Sequence, residues 1–204
     1  ELRAGFADGL RGNDAHRFAA FDEAARGEVA AVAENANAAA RLAPLGVSYV
    51  DGPVSGGVAG ARAGTIALMF GGSAAVFEAH RELLESFAGN VFHVGEEAGQ
   101  GQAMKLLNNF LSATALAASS EALALGRAHG LDLSTMLDVV NVSTGRNSAT
   151  ADKFPNRVLT GTYDTGFHTR LMAKDVRLFN DVAATVGTSH HVSDAVGALW
   201  NACE

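Results

Sequence analysis

The stretch GQGQAMKLLNNF, residues 99–110, marks the point at which the chain changes character. Two glycines open it, and apolar residues at helical spacing then predict a long helix from about residue 102 to 128, which ends at Gly130. We predict no strand after residue 101. The pattern instead indicates further helices over about 133–141, 149–159 and 169–186. The stretch therefore separates an α/β part from an all-helical part, with a predicted boundary near residue 98.

In the part before this stretch, the sequence predicts strands that alternate with a helix. Strands are predicted near 47–51, 65–70 and 91–94, and a glycine-rich loop over 52–64 follows the first of them. Ser73 is a candidate N-cap for a helix over 75–87. An alanine-dense segment, residues 23–42, is predicted to be helical. We therefore expect a partial α/β domain over residues 1–98 and a helical domain over 99–204.

Composition excludes several classes of protein. The chain has 204 residues, which is long enough for one or two domains of the usual ~100–200 residues. Its net charge is −7, so a nucleic-acid partner, which demands a basic face, is not expected. A lone cysteine fits a reducing compartment, and no apolar run reaches the ~18 residues of a membrane span. We expect a cytoplasmic protein with no membrane partner, and the start at Glu1 suggests a piece of a longer chain.

The first candidate site is the loop DGPVSGG, residues 51–57. Gly56 and Gly57 let the backbone approach a ligand closely, and successive N–H groups with the Ser55 hydroxyl could hold a carboxylate or phosphate. The same residues could also form no more than a tight connection between strands.

The second candidate site is the face of the long helix that carries Lys105 and Asn109, four residues apart. Lys105 could exchange a proton with an alcohol or carbonyl oxygen while Asn109 orients it. That role requires the lysine pKa to fall from ~10.4 toward ~7–8. The alternative is a solvated lysine beside a packing amide.

A third stretch, TGFHTRLMAKDV at 165–176, contains Lys174 and Asp175. Both lie off the apolar stripe of the predicted helix, so we expect an exposed pair. The seven histidines are scattered or adjacent, with no metal-ligand spacing, and we predict no metal site.

Five motifs in one order resemble the β-hydroxyacid dehydrogenase family, which includes 3-hydroxyisobutyrate dehydrogenase. They are DGPVSGG at 51–57, GTIALMFGG at 64–72, the Gly99–Asn109 motif, STGRN at 143–147 and GFxxxLxxKD at 166–175. The resemblance covers roughly residues 44–204 and implies the C-terminal portion of such an enzyme. It implies an α/β remnant of a Rossmann-type sheet followed by an all-α domain like the C-terminal domain of 6-phosphogluconate dehydrogenase.

The resemblance also implies residue roles. Ser55, Gly56 and Gly57 would bind the substrate carboxylate, Lys105 would be the general acid/base, and Asn109 would help to bind the substrate. Lys174 would lie near the nicotinamide of NAD or NADP, with Phe167 nearby. Related decarboxylating enzymes carry His-Asn where this chain has Asn108-Asn109, which favours simple reversible oxidoreduction.

Three function hypotheses follow. The first is an NAD(P)-dependent 3-hydroxyacid dehydrogenase acting on a small hydroxy acid such as 3-hydroxyisobutyrate, tartronate semialdehyde or threonate, and forming a homo-oligomer through its helical domain. The second is a non-catalytic helical oligomerisation or binding module without the cofactor-binding half. The third is a phosphosugar-binding protein that uses the SGG loop at residues 55–57. The chain contains no G-x-G-x-x-G motif, so the usual diphosphate cradle is not expected in it.

Overall fold

The computed structural model describes residues 32–203. They divide into two compact units. Unit 1 comprises residues 32–56 and 60–105, and unit 2 comprises 57–59 and 106–203. The chain is therefore a small α/β unit and a helical unit, which confirms the predicted fold class.

Unit 1 is built on a small sheet. Its strands are β1 (Val54–Ser55), β2 (Ala67–Gly71) and β3 (Asn90–Gly95), in the order β1-β2-β3. The β1–β2 pair is antiparallel and the β2–β3 pair is parallel, with Leu68 opposite Val91. Buried residues of β2 form the core together with the helices that follow it: Leu68, Phe70, Phe77, Leu84 and Ala88.

Four short helices precede or separate the strands along the described part of the chain. They are α1 (Val32–Leu42), α2 (Gly57–Ala63), α3 (Ala74–Ala79) and α4 (Arg81–Glu85). A short 3₁₀ turn, Ala43–Leu45, follows α1. Ser73 caps α3 by accepting the N–H of Val76, which confirms the predicted cap. The part of the predicted helix over 23–42 that precedes Val32 lies outside the described residues.

Unit 2 contains most of the long helix α5 (Gln100–Ala128), which begins in unit 1. It continues with α6 (Leu133–Asn141), a π-helix (Ala149–Val158), α7 (Thr169–Val186) and α8 (His191–Ala202). Asp132 caps α6 by accepting the N–H of Thr135. Two buried clusters hold these helices together: Ala113, Met172, Val176 and Val196, and then Leu123, Leu137, Ala149 and Phe154.

The strand predicted over 47–51 is wrong except at its last residue. Residues 47–50 have no strand pairing in the described chain, and Asp51 alone forms a bridge with Gly71. Alternating side chains indicated an extended backbone, but a strand also requires a neighbouring backbone to pair with. Val54–Ser55, predicted as loop, is the segment that pairs.

The loop predicted over 52–64 contains helix α2, so that prediction is wrong for residues 57–63. The glycines flank the helix as well as lying within it: Gly56 precedes it and Gly64 ends it with φ of 67°. Ala59, Ala61 and Ala63 between them favour the helical conformation.

The single helix predicted over 75–87 is divided at His80. The imidazole Nδ1 of His80 lies 2.8 Å from the carbonyl oxygen of Val76, the group that its own N–H would otherwise bind in a continuous helix. Helix α8 was not predicted. The segment predicted as a helix over 149–159 is helical, but of the π type. Among the described residues, no helix is long and apolar enough to cross a membrane.

Candidate functional site

In unit 1, Lys105 lies beside the glycine loop. It stands in the second turn of α5 and is half-buried, and its Nζ donates a hydrogen bond to the carbonyl oxygen of Val54 at 2.7 Å. Val54 is followed directly by Ser55, which is also half-buried. The fold therefore brings together the predicted acid/base residue and the loop predicted to bind the carboxylate, although 51 positions separate Lys105 from Val54.

Gly56 and Gly57 occupy backbone conformations that favour glycine. Their φ angles are 130° and 59°, in the region that residues with a Cβ rarely adopt. An added Cβ on Gly56 would be 3.5 Å from the Cα atoms of Gly60 and Ile66, so space alone does not explain the glycine. The tight turn between β1 and α2 is what requires it.

Asp51 joins this loop to the start of α5. Its side chain is 5% exposed, and its two carboxylate oxygens accept the N–H groups of Gly99 at 2.7 Å and Gln102 at 2.6 Å. Burial raises the pKa of the Asp51 carboxyl, and the N–H groups of Gly99 and Gln102 oppose that rise. Asp51 therefore fixes the helix turn that precedes Lys105. The sequence pattern predicts no separate role for Asp51, although an aspartate at the end of a predicted strand and just before a glycine loop is a candidate to accept neighbouring backbone N–H groups.

In unit 2, Asn109 is held by an acidic residue. Its Nδ2 donates to Asp175 Oδ2 at 2.5 Å, and both side chains are buried. The Asn109 Oδ1 accepts from Asn108 Nδ2 at 3.1 Å. These bonds fix the orientation of the amide, as a residue that orients a ligand requires.

The exposed pair predicted at Lys174 and Asp175 is wrong for Asp175, which is 5% exposed. It is buried because the Asn109 amide satisfies one of its oxygens, while Lys174 Nζ lies 3.3 Å from the other. Unit 2 therefore brings together the predicted residues Asn109 and Lys174 around Asp175, for which the sequence predicts exposure and not a contact with Asn109.

Other predicted residues are less constrained. Phe167 is 41% exposed and lies in the segment before α7. Within residues 32–203, no group of three His, Cys, Asp or Glu side chains could hold a metal ion. A cavity of about 520 Å³ in unit 1 is lined by α1 and by the Gly72–Ser73 turn, and contains none of the predicted site residues.

Two family models match the chain. The model for the NAD-binding domain of NADP-dependent 3-hydroxyisobutyrate dehydrogenase matches residues 99–204, and the model for the NAD-binding domain of 6-phosphogluconate dehydrogenase matches residues 26–95. The two matches correspond closely to the α/β and helical parts of the fold. The fold and the two matches thus define a class of proteins that carry the NAD-binding domain of 6-phosphogluconate dehydrogenase followed by that of NADP-dependent 3-hydroxyisobutyrate dehydrogenase.

Similar proteins agree with this class. The chain is 40% identical over 136 residues to 2-(hydroxymethyl)glutarate dehydrogenase of Eubacterium barkeri, covering 67% of this chain and 45% of that protein. It is 39% identical over 174 residues to NAD-dependent L-serine dehydrogenase of Pseudomonas aeruginosa, covering 82% and 57%. A structure of Mycobacterium tuberculosis 3-hydroxyisobutyrate dehydrogenase with L-serine superposes with a TM-score of 0.77 at 32% identity, covering 84% of this chain and 60% of that one.

The chain belongs to the β-hydroxyacid dehydrogenase family. It spans about half the length of the curated relatives that it matches, 45% and 57% for the two named above.

Proposed function

We propose that the chain supplies the substrate loop and the acid/base lysine of an NAD(P)-dependent 3-hydroxyacid dehydrogenase. The observation that carries this proposal is the hydrogen bond from Lys105 Nζ to the carbonyl of Val54, next to Ser55. A lysine held at a glycine loop can serve a substrate whose carboxylate is bound by that loop.

The residues have distinct roles in this proposal. The backbone of Gly56 and Gly57 and the Ser55 hydroxyl bind the substrate carboxylate. Lys105 takes the proton from the hydroxyl oxygen on oxidation and returns it on reduction, while the Asn109 amide orients that oxygen. Asp175 acts on Asn109 as a positioning residue.

The residues of this chain that fit a nicotinamide are Lys174 and Phe167. Lys174 is half-buried and its ammonium is held near Asp175 Oδ1, so it can present a fixed positive charge. A bound NAD or NADP supplies or accepts the hydride. Because the sequence contains no G-x-G-x-x-G motif, we propose contacts of this chain only with the nicotinamide end of the cofactor.

The substrate class is a small 3-hydroxy acid, in which a single carbon atom separates the carboxylate carbon from the reacting carbinol carbon. The proposed candidates include 3-hydroxyisobutyrate, tartronate semialdehyde, threonate, L-serine and the dicarboxylic 2-(hydroxymethyl)glutarate, the last two taken from the names of relatives. We further propose a cytoplasmic location and a homo-oligomer formed through the helical domain.

The Lys105→Ala variant tests the proposed chemistry. We expect kcat to fall by about 10²–10⁴-fold, with cofactor affinity nearly unchanged, because the variant removes only the proton exchange. The measurements are turnover of the candidate hydroxy acids and calorimetric titration with NAD and NADP. Near-normal turnover in the variant would contradict the role of Lys105. A wild-type protein that neither turns over these acids nor binds either cofactor would favour the rival, a helical oligomerisation or binding module.

A further inference from the structure

The π-helix directs a lysine at the long helix α5. Lys153 lies in the middle of this helix, and its Nζ donates to Ser112 Oγ at 2.8 Å. Both residues are half-buried. Its neighbour Phe154 is packed in a buried cluster with Leu123 and Leu137, so the backbone that carries Lys153 is anchored. The position of the ammonium is therefore fixed by the fold of unit 2.

The charge of Lys153 is not matched within its surroundings. No carboxylate of the described residues forms an ion pair with it, and its hydrogen-bond partner is a neutral hydroxyl. The adjacent Asp152 accepts a hydrogen bond from Asn156 at 2.8 Å instead. Burial lowers the pKa of Lys153, and the charge of Asp152 opposes this only partly. A half-buried cation without a carboxylate partner is able to bind an anion from outside the chain.

Within unit 2, one residue of the pair lies close in sequence to Asn109, the residue proposed to orient the substrate oxygen. Ser112 follows Asn109 by three residues on α5, so the two side chains lie on the same face, one turn apart. The π-helix provides a second indication, because π-helical segments are rare and occur frequently at functional sites.

We propose that Lys153 and Ser112 form an anion subsite that binds a second carboxylate of the substrate, distal to the reacting carbon. This inference rests on the proposed function, and it specifies a dicarboxylic hydroxy acid as the preferred substrate. One ammonium with one hydroxyl suits a carboxylate, whereas phosphate sites usually add arginine forks or several backbone N–H groups to a lysine.

Direct binding is the first test. Calorimetric titration would compare glutarate, which has two carboxylates, with butyrate, which has one, in the wild type, Lys153→Met and Lys153→Arg. Arg146→Met serves as the matched control, because it removes an exposed positive charge from the same part of the chain. We expect glutarate affinity to fall at least tenfold in Lys153→Met, to be largely kept in Lys153→Arg, and to be unchanged in the control, with butyrate affinity unaffected. Thermal denaturation would confirm that each variant is folded.

Equal glutarate affinity in the wild type and in folded Lys153→Met would overturn the subsite. A loss of NAD or NADP affinity in place of glutarate affinity would also overturn it, because Lys153 would then serve the cofactor.

Turnover separates this inference from the function on which it rests. In an active protein, Lys153→Met should raise KM for 2-(hydroxymethyl)glutarate about tenfold or more, with kcat and the KM for 3-hydroxyisobutyrate little changed. Turnover of both acids with no such KM difference would overturn the subsite and leave the dehydrogenase proposal standing. Binding of glutarate that depends on Lys153, without turnover of either acid, would support the subsite and contradict the dehydrogenase proposal.

Discussion

At the scale of single residues, Asp51 is the side chain whose removal tests how the start of α5 is held. Asp51→Ala leaves the N–H groups of Gly99 and Gln102 without their acceptors. We expect the free energy of unfolding to fall by about 1–3 kcal/mol for each orphaned N–H. Urea denaturation measures this, with the exposed Asp138→Ala as the control. An equal unfolding free energy in the two variants would refute the role.

The same variant has a pH dependence with a defined sign. Because burial raises the pKa of Asp51 in the folded protein, the native state binds the proton more tightly than the unfolded state does. The part of the stability that depends on the protonation of Asp51 is therefore fully present below its ordinary pKa of about 3.9 and is lost as the pH rises through the raised value, while the hydrogen bonds to Gly99 and Gln102 remain. We expect the stability difference between wild type and Asp51→Ala to shrink over that interval. A difference that grows with pH would show that the pKa is lowered instead.

The sequence predicts some of these residues and not others, for a physical reason. Helical spacing alone places Lys105 and Asn109 on one face. It cannot show that Asp175, 66 positions from Asn109, is buried, because that burial depends on a hydrogen bond between distant segments. A polar residue that lies outside the apolar stripe of an amphipathic helix is expected to be exposed, unless a buried hydrogen-bond partner for it is known.

At the scale of elements, the bounds of helices are predicted well where the helical spacing of apolar residues continues over several turns. The bounds of α6 and α7 are those predicted, and α5 differs by two residues at its start. The ends of short helices depend on single hydrogen bonds and backbone angles, which the periodicity of apolar residues does not indicate. The ring of His80 ends α3, and the φ of Gly64 ends α2. The π form of 149–158 is likewise not indicated by the sequence pattern.

The packing of α5 against β2 provides the test at this scale. A Cβ on Gly101 would lie 2.7 Å from Asp51 Oδ2 and would also overlap the carbonyl oxygen of Met69. Gly101→Ala must therefore displace the first turn of α5, and we expect a loss of about 1–3 kcal/mol in the free energy of unfolding. Gly145→Ala is the matched control, since its nearest neighbour, Val140 Cγ1, is 3.4 Å away. If urea denaturation gives the same midpoint for both variants, the close approach is not a constraint.

At the scale of the whole molecule, the exposed leucines of α5 bear on the proposed oligomer. Leu107 and Leu111 are 44% and 59% exposed and lie one turn apart on the same face. Burying a leucine completely contributes about 1.5–3 kcal/mol, and a symmetric dimer buries each such residue twice. We expect Leu111→Asp to convert the wild-type oligomer to a monomer, as measured by light scattering after size exclusion. Ser120→Asp, on the opposite face of α5, should keep the wild-type mass. A wild-type monomer, or an oligomer that persists in Leu111→Asp, would move the proposed interface away from this face. The catalytic proposal for Lys105 would be unaffected, because it depends on contacts within one chain.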